Sequence, residues 1–283
     1  MTSNTLSDKL TEIIDDLIGA STSIPVIGLS GPQGSGKSTA LNHVLRQSSF
    51  RIAGLGLDDF YLPKLLVLDL SKNEVEHIPN NISRHQYLCD LDLRQNPLTD
   101  FNGVFNLPNL KQLSLIACDL KELPVEIGNL GNLEILYLEG NDLSELPSTI
   151  GNLVKLKTLH LEGNSLSELP STVGNLTDLE DIHLRGTGIK KLSLEFSNLK
   201  KLSHLCISSN LDEIPEVIFS MVSLTELDLD ENNIKSIPDK IDRLKEIKLL
   251  SLEGNKISEI PNSIGSLENM EYLDVSNNKL HSL

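Results

Sequence analysis

The chain is 283 residues long and carries 24 Lys+Arg against 40 Asp+Glu, a formal net charge of −16. That length suits one or two domains, and the acidity argues against a nucleic-acid backbone as the main partner. Hydrophobic residues make up 39% but aromatics only 4%, with no Trp and 55 leucines, so leucine fills the core and a repetitive architecture is expected. No run reaches the roughly 18 apolar residues of a membrane span. The opening residues carry acids through their apolar positions and are not patterned as a secretory signal. Three scattered cysteines fit no disulfide framework, so a reducing, cytoplasmic setting without a membrane partner is expected.

Residues 7–19 read as an amphipathic helix with Leu10, Ile13, Ile14, Leu17 and Ile18 on one face. A strand follows over Pro25–Ser30, then a Gly-rich turn, a helix over Ser38–Gln47 and a second strand around Ile52–Leu57, which together make a β-α-β unit. The turn Gly31-Pro-Gln-Gly34-Ser35-Gly36-Lys37-Ser38 fits G-x-x-x-x-G-K-[ST] between strand and helix, the context that makes a P-loop specific. Glycines let successive backbone N–H groups turn toward one anion at the positive end of the following helix. The expected nucleotide contacts are therefore Gly31, Gly34, Ser35, Gly36, Lys37, Ser38 and Thr39, with Lys37 on the outer phosphates and Ser38 on Mg²⁺.

The segments GLSGPQGSGKSTALNHVL and GLDDFYLPK resemble the start of the glycerate kinase and uridine kinase-like P-loop kinases. The resemblance implies ATP with Mg²⁺ as cofactor and Asp58 as base toward an acceptor hydroxyl, with Asp59, Phe60 and Tyr61 shaping the acceptor site. It covers residues 1–63 and stops after Lys64. The remaining strands of such a kinase, its Walker B strand and its lid arginines have no counterpart here. The two retained strands are not neighbours in that fold, so a partner strand must come from elsewhere. An open site exposes ATP to water instead of an acceptor, so the unit is expected to bind a nucleotide or phosphate rather than turn it over. Phosphoryl transfer from ATP to a small alcohol is the alternative reading.

From Leu65 the pattern L-x-x-L-x-L-x-x-N recurs, led by Leu65, Leu88, Leu110, Leu133, Leu156, Leu179, Leu202, Leu224, Ile247 and Met270 at spacings of 22 or 23 residues. Leu136 and Leu138 alternate as a strand that points both inward, and Leu143, Leu146, Ile150 and Leu153 fill the same interior from the returning arc. Pro147 excludes an ordinary helix there, so short helical turns are expected on the convex side. At the ninth position a buried Asn can satisfy turn backbone groups as donor and acceptor. Asn73, Asn96, Asn141, Asn164, Asn210, Asn232, Asn255 and Asn278 hold that place, while Cys118 and Thr187 depart from it and should weaken the ladder locally. These residues resemble the leucine-rich repeat family over residues 64–283. The fold class implied is α/β: a solenoid of about ten 22–23-residue repeats (residues 64–283), preceded by a truncated P-loop β-α-β unit (residues 1–63). The string Leu65-Leu-Val-Leu-Asp69 also resembles a Walker B strand, but it fits the repeat register. Leu66 and Val67 fall at positions a solenoid exposes, which suggests that the β-α-β unit caps the first repeat.

Solvent-facing strand positions form columns about 4.8 Å apart between repeats. The central column reads Asp69, Asp92, Ser114, Tyr137, His160, His183, Cys206, Asp228, Ser251, Asp274. Flanking columns add Glu139, Glu162, Asp181, Arg185 and His204, giving a Tyr/His/Cys stripe in acidic surroundings. Tyr, His and Arg on a concave surface suit a protein partner, and the acids favour a basic one. His160, His183 and Cys206 are metal donors on successive rungs, yet a flat ladder presents side chains in parallel, so no metal is expected. The run YLDVSNNKLHSL carries no polar cap, and self-association through that end is expected.

Overall fold

A computed structural model describes residues 27–28 and 64–281. The elements expected over residues 7–19 and 31–58, including the phosphate-loop residues and Asp58, lie outside the described residues. The chain divides into two compact units, Met1–Cys118 and Asp119–Leu283.

In the first unit, β1 (Ile27–Gly28), β2 (Val67–Asp69), β3 (Asp90–Asp92) and β4 (Gln112–Ser114) pair in parallel in chain order. β1 falls within the strand expected over Pro25–Ser30 and meets β2 through Ile27↔Leu68 and Gly28↔Asp69. The first repeat strand is thus the neighbour of β1. The Asp69 carboxylate accepts the backbone N–H of Ser71 at 2.9 Å, the turn that Asp92 makes to Arg94 and Asp228 to Asp230 in other repeats. Asp69 is accounted for by the repeat.

The second unit contains β5 (Ile135–Tyr137), β6 (Thr158–His160), β7 (Asp181–His183), β8 (His204–Cys206), β9 (Glu226–Asp228), β10 (Leu249–Ser251) and β11 (Tyr272–Asp274). Each pairs in parallel with the next, in register. Leu136, Leu138, Leu143, Ile150 and Leu153 are fully buried, as their spacing predicts. After each strand the chain reverses through a left-handed residue: Gly140, Gly163, Gly186 and Gly254 take φ between 65° and 69°, a conformation without cost for glycine alone. The convex arc is built of five-residue 3₁₀ turns such as Ser148–Asn152 and Ser171–Asn175, entered from Pro147 and Pro170. Successive turns stack so closely that a Cβ on Gly151 would lie 2.5 Å from the Thr172 carbonyl oxygen.

The asparagine ladder ties the rungs. Buried Asn164 donates to the carbonyls of Leu138 and Leu161, both at 2.9 Å, and accepts the Leu143 N–H at 3.1 Å. Asn210 does not belong to this ladder, contrary to the sequence pattern. It is exposed at φ 57°, and Ser209 is buried in its stead. The residue missing from this 22-residue repeat comes out of the turn after Ile207. Leu211, Ile214 and Pro215 therefore keep from Ser209 the spacings that Leu166, Leu169 and Pro170 keep from Asn164. The Ser209 hydroxyl lies 2.9 Å from that of Thr187, which itself bonds the Leu184 carbonyl at 2.8 Å. Two hydroxyls thus continue the ladder where amides are absent. At the other departure, the Cys118 thiol lies 3.2 Å from the Leu93 carbonyl.

Among the described residues no helix is long and apolar enough to cross a membrane.

Candidate functional site

The site lies on the outward faces of β5 to β9. Because strand side chains alternate with period two, Leu159, Ile182 and Leu205 point into the core and their neighbours point out. Register places Tyr137 beside His160, His160 beside His183, and His183 beside Cys206. The expected central column is therefore real. The imidazoles of His160 and His183 stack with centroids 4.1 Å apart and planes 5° apart, and the Tyr137 ring meets His160 at 5.2 Å and 60°.

Carboxylates from the flanking columns hold both rings. Asp181 Oδ2 is hydrogen-bonded to His160 Nε2 at 3.0 Å, while Oδ1 lies 3.1 Å from His183 Nε2 as an ion-pair contact without hydrogen-bond geometry. At the far side of each ring, His183 Nδ1 lies 2.8 Å from Glu162 and His160 Nδ1 3.5 Å from Glu139. Burial works against the charge on His160, but its bonds to Asp181 and Glu139 outweigh that and hold it up at about 9. Bonds to Asp181 and Glu162 raise His183 to about 10 against a smaller burial penalty. Burial would raise Asp181 and Glu162, yet the imidazoles keep both below the usual carboxylate range. At neutral pH both imidazoles therefore keep their charge against Asp181 and Glu162.

One rung further, Arg185 reaches across Cys206 to Asp228 at 2.7 Å. The Cys206 thiol lies 3.4 Å from Asp228, and burial together with that carboxylate pushes it up to about 12. Cys206 is thus a neutral, weakly reactive thiol. The ring of His204 sits 3.4 Å from Glu226 and 2.8 Å from the Ser203 hydroxyl.

A family model described as leucine-rich repeat region matches residues 68–165 and 149–232, and one described as leucine rich repeat matches residues 222–280. The chain belongs to the leucine-rich repeat family. This leucine-rich repeat chain is similar to a leucine-rich repeat protein of Leptospira interrogans: 29% identity, a TM-score of 0.66, and coverage of 78% of this chain and 63% of that one. It is also similar to the ectodomain of the plant membrane receptor kinase GASSHO1/SCHENGEN3 from Arabidopsis thaliana, solved in complex with CASPARIAN STRIP INTEGRITY FACTOR 2. There the identity is 32% and the TM-score 0.66, over 78% of this chain and 28% of that one. The chain therefore spans less than two thirds of either solved chain. Among curated proteins, the uncharacterized kinase mug58 of Schizosaccharomyces pombe is 38% identical over 85 residues, 29% of this chain and 28% of that protein.

On the leucine-rich repeat surface, Tyr137, Glu139, His160, Glu162, Asp181 and His183 come together as one cluster. Arg185, His204 and Cys206 line an open groove with Glu226, Asp228 and Leu249, and Glu162, Asp181 and His183 of the cluster line the same groove. Asp228 stands in the central column read from the sequence, whereas Glu226 and Leu249 complete the groove without having been named there. The signal is present: Glu226 and Leu249 continue the column of Asp181 and His204, and Asp228 continues that of Cys206. The structure also changes the role of the flanking acids. Glu139, Glu162 and Asp181 read as free charges available to a basic partner, but the two histidines already engage them. The loop set from Gly31 to Thr39, with Asp58, lies outside the described residues.

Proposed function

We propose that this chain is a protein-interaction module that binds a peptide or an extended segment of a protein partner in the groove of Arg185, His204 and Glu226. The observation that carries this reading is the groove itself. Arg185 and Glu226 are about half exposed, offering one guanidinium and one carboxylate beside the apolar side chain of Leu249. A mixed-charge rim around an apolar floor is the chemistry of a polar interface with a specific register. The Arabidopsis ectodomain solved with a partner supports it as a family-level parallel. Three free cysteines, Cys89, Cys118 and Cys206, support a reducing, cytoplasmic setting.

A displayed peptide library selected against the full chain tests the reading. Selected peptides should bind the wild type and a convex-side variant, Glu126→Lys, equally. They should lose at least tenfold in affinity against Arg185→Glu/Glu226→Lys. Peptides that bind the groove variant as tightly as the wild type would overturn it.

A second reading, that residues 31–39 hold ATP or phosphate with Mg²⁺, is favoured by the kinase-named relative and by the position of β1 at the expected loop strand. Backbone N–H groups and Lys37 suffice for a weak phosphate site, while turnover needs an acceptor fixed against Asp58. Calorimetry should detect ATP binding in wild type and none in Lys37→Ala, with no acceptor-dependent ADP release. Acceptor-dependent release abolished by Asp58→Asn would instead make the chain a phosphotransferase.

A further inference from the structure

A carboxylate that faces one ring nitrogen from each of two stacked imidazoles marks a place where a single cation can bridge all three side chains. We propose that His160, His183 and Asp181 form a binding site for a first-row divalent transition-metal ion of the Zn²⁺ type within the concave face, with Asp181 and His183 shared with the lining of the proposed peptide groove. The donor atoms of these three side chains lie within 4.8 Å of one another. Tetrahedral coordination at bonds of about 2.0–2.1 Å places donors about 3.3 Å apart, so tilting two imidazoles about their side-chain bonds closes the set. Two histidines and one carboxylate leave positions open for water or a partner's donor, the arrangement of a facial triad.

The outer contacts are those that a ligating histidine requires. A metal-bound imidazole needs its second nitrogen fixed as a donor, usually to a carboxylate, which sets the tautomer and raises ligand basicity. Glu162 at 2.8 Å from His183 Nδ1 and Glu139 at 3.5 Å from His160 Nδ1 stand where that partner stands, so both Nε2 atoms face Asp181. An ion-pair cluster alone leaves Asp181 Oδ1, an oxygen of the proposed ligand that faces His183 Nε2 at 3.1 Å, buried without a hydrogen-bond partner. Nitrogen donors select Zn²⁺, Co²⁺ or Ni²⁺ over Mg²⁺ and Ca²⁺. Cys206 is not a ligand, because its thiol is committed to Asp228 beneath Arg185.

The full chain, stripped with a chelator and dialysed, is titrated with Co²⁺ by visible absorption and then with Zn²⁺ in competition. One equivalent of Co²⁺ should produce visible bands without a thiolate charge-transfer band, and Zn²⁺ should displace it while Mg²⁺ does not. His183→Ala and Asp181→Asn should abolish the signal, and Cys206→Ser should leave it unchanged. Glu162→Gln, which keeps every proposed ligand, should weaken binding by about 10–100-fold, with circular dichroism showing the fold intact. The proposal fails if no saturable equivalent binds. It also fails if His160→Ala/His183→Ala binds as tightly as wild type, or if a thiolate band vanishes in Cys206→Ser.

Discussion

Replacing Asn164 by Ala removes three buried hydrogen bonds at once, those to the Leu138 and Leu161 carbonyls and from the Leu143 N–H. The residue is 5% exposed, so water does not readily take its place. A net contribution of about 1 kcal/mol for each bond, plus desolvation of groups left unpaired, gives a loss of roughly 3–5 kcal/mol. Asn210→Ala is the control, since Asn210 is exposed and its special feature is φ 57°. An alanine in that left-handed region costs about 1 kcal/mol. Urea unfolding followed by circular dichroism and by a fluorophore on an engineered site yields both values. The shift in midpoint is converted to free energy only where the slope is unchanged and the two probes coincide. Because stability in a solenoid sums rung and interface terms, the Asn164 loss should appear in full. Equal losses for the two variants, or a larger one for Asn210→Ala, would refute the assignment of the ladder to Ser209.

The histidine cluster makes the metal-free protein pH-sensitive with a definite sign. His160 and His183 titrate at about 9 and 10 against 6.5 unperturbed, so their contribution is complete below pH 6.5 and is lost as pH rises through 9–10. Asp181 and Glu162 are lowered, so theirs is present above their ordinary values and is lost only as pH falls below about 4. With chelator present, the melting temperature should decline from pH 7 to 10 in wild type and far less in His160→Ala/His183→Ala; identical profiles would contradict the pairing. Gly151→Ala sets a Cβ against the Thr172 backbone at 2.5 Å, whereas Gly131→Ala meets nothing within 4 Å. Overpacking of this kind costs about 1–3 kcal/mol, so calorimetric melting should fall by several degrees in the first variant and barely move in the second.

The period of 22 or 23 residues made the strands, their register and the central column readable, because one inward leucine pair per rung fixes which neighbours face out. The period did not fix where side chains go once they leave the surface. His160 and His183 look like parallel donors when one column is read alone, and their rings do stack in parallel, but both Nε2 atoms face Asp181 of the flanking column. On the folded face a rung spacing of about 4.8 Å is shorter than an imidazole or carboxylate can reach, so contacts run diagonally. His160 finds Asp181 on the next rung and Glu139 on the one before, and Arg185 passes over a whole rung to Asp228. The legible unit for such a surface is therefore a lattice of three columns and successive rungs. A donor in the middle column flanked by acids on the adjacent rungs is its signature of a built site. Asn210 leaves the ladder for a related reason, the two anchors of the repeat: the leading leucine fixes the strand, while Leu211, Ile214 and Pro215 fix the arc. A 22-residue repeat must be read from both ends, since the lost residue lies between them and decides which polar side chain is drawn into the ladder.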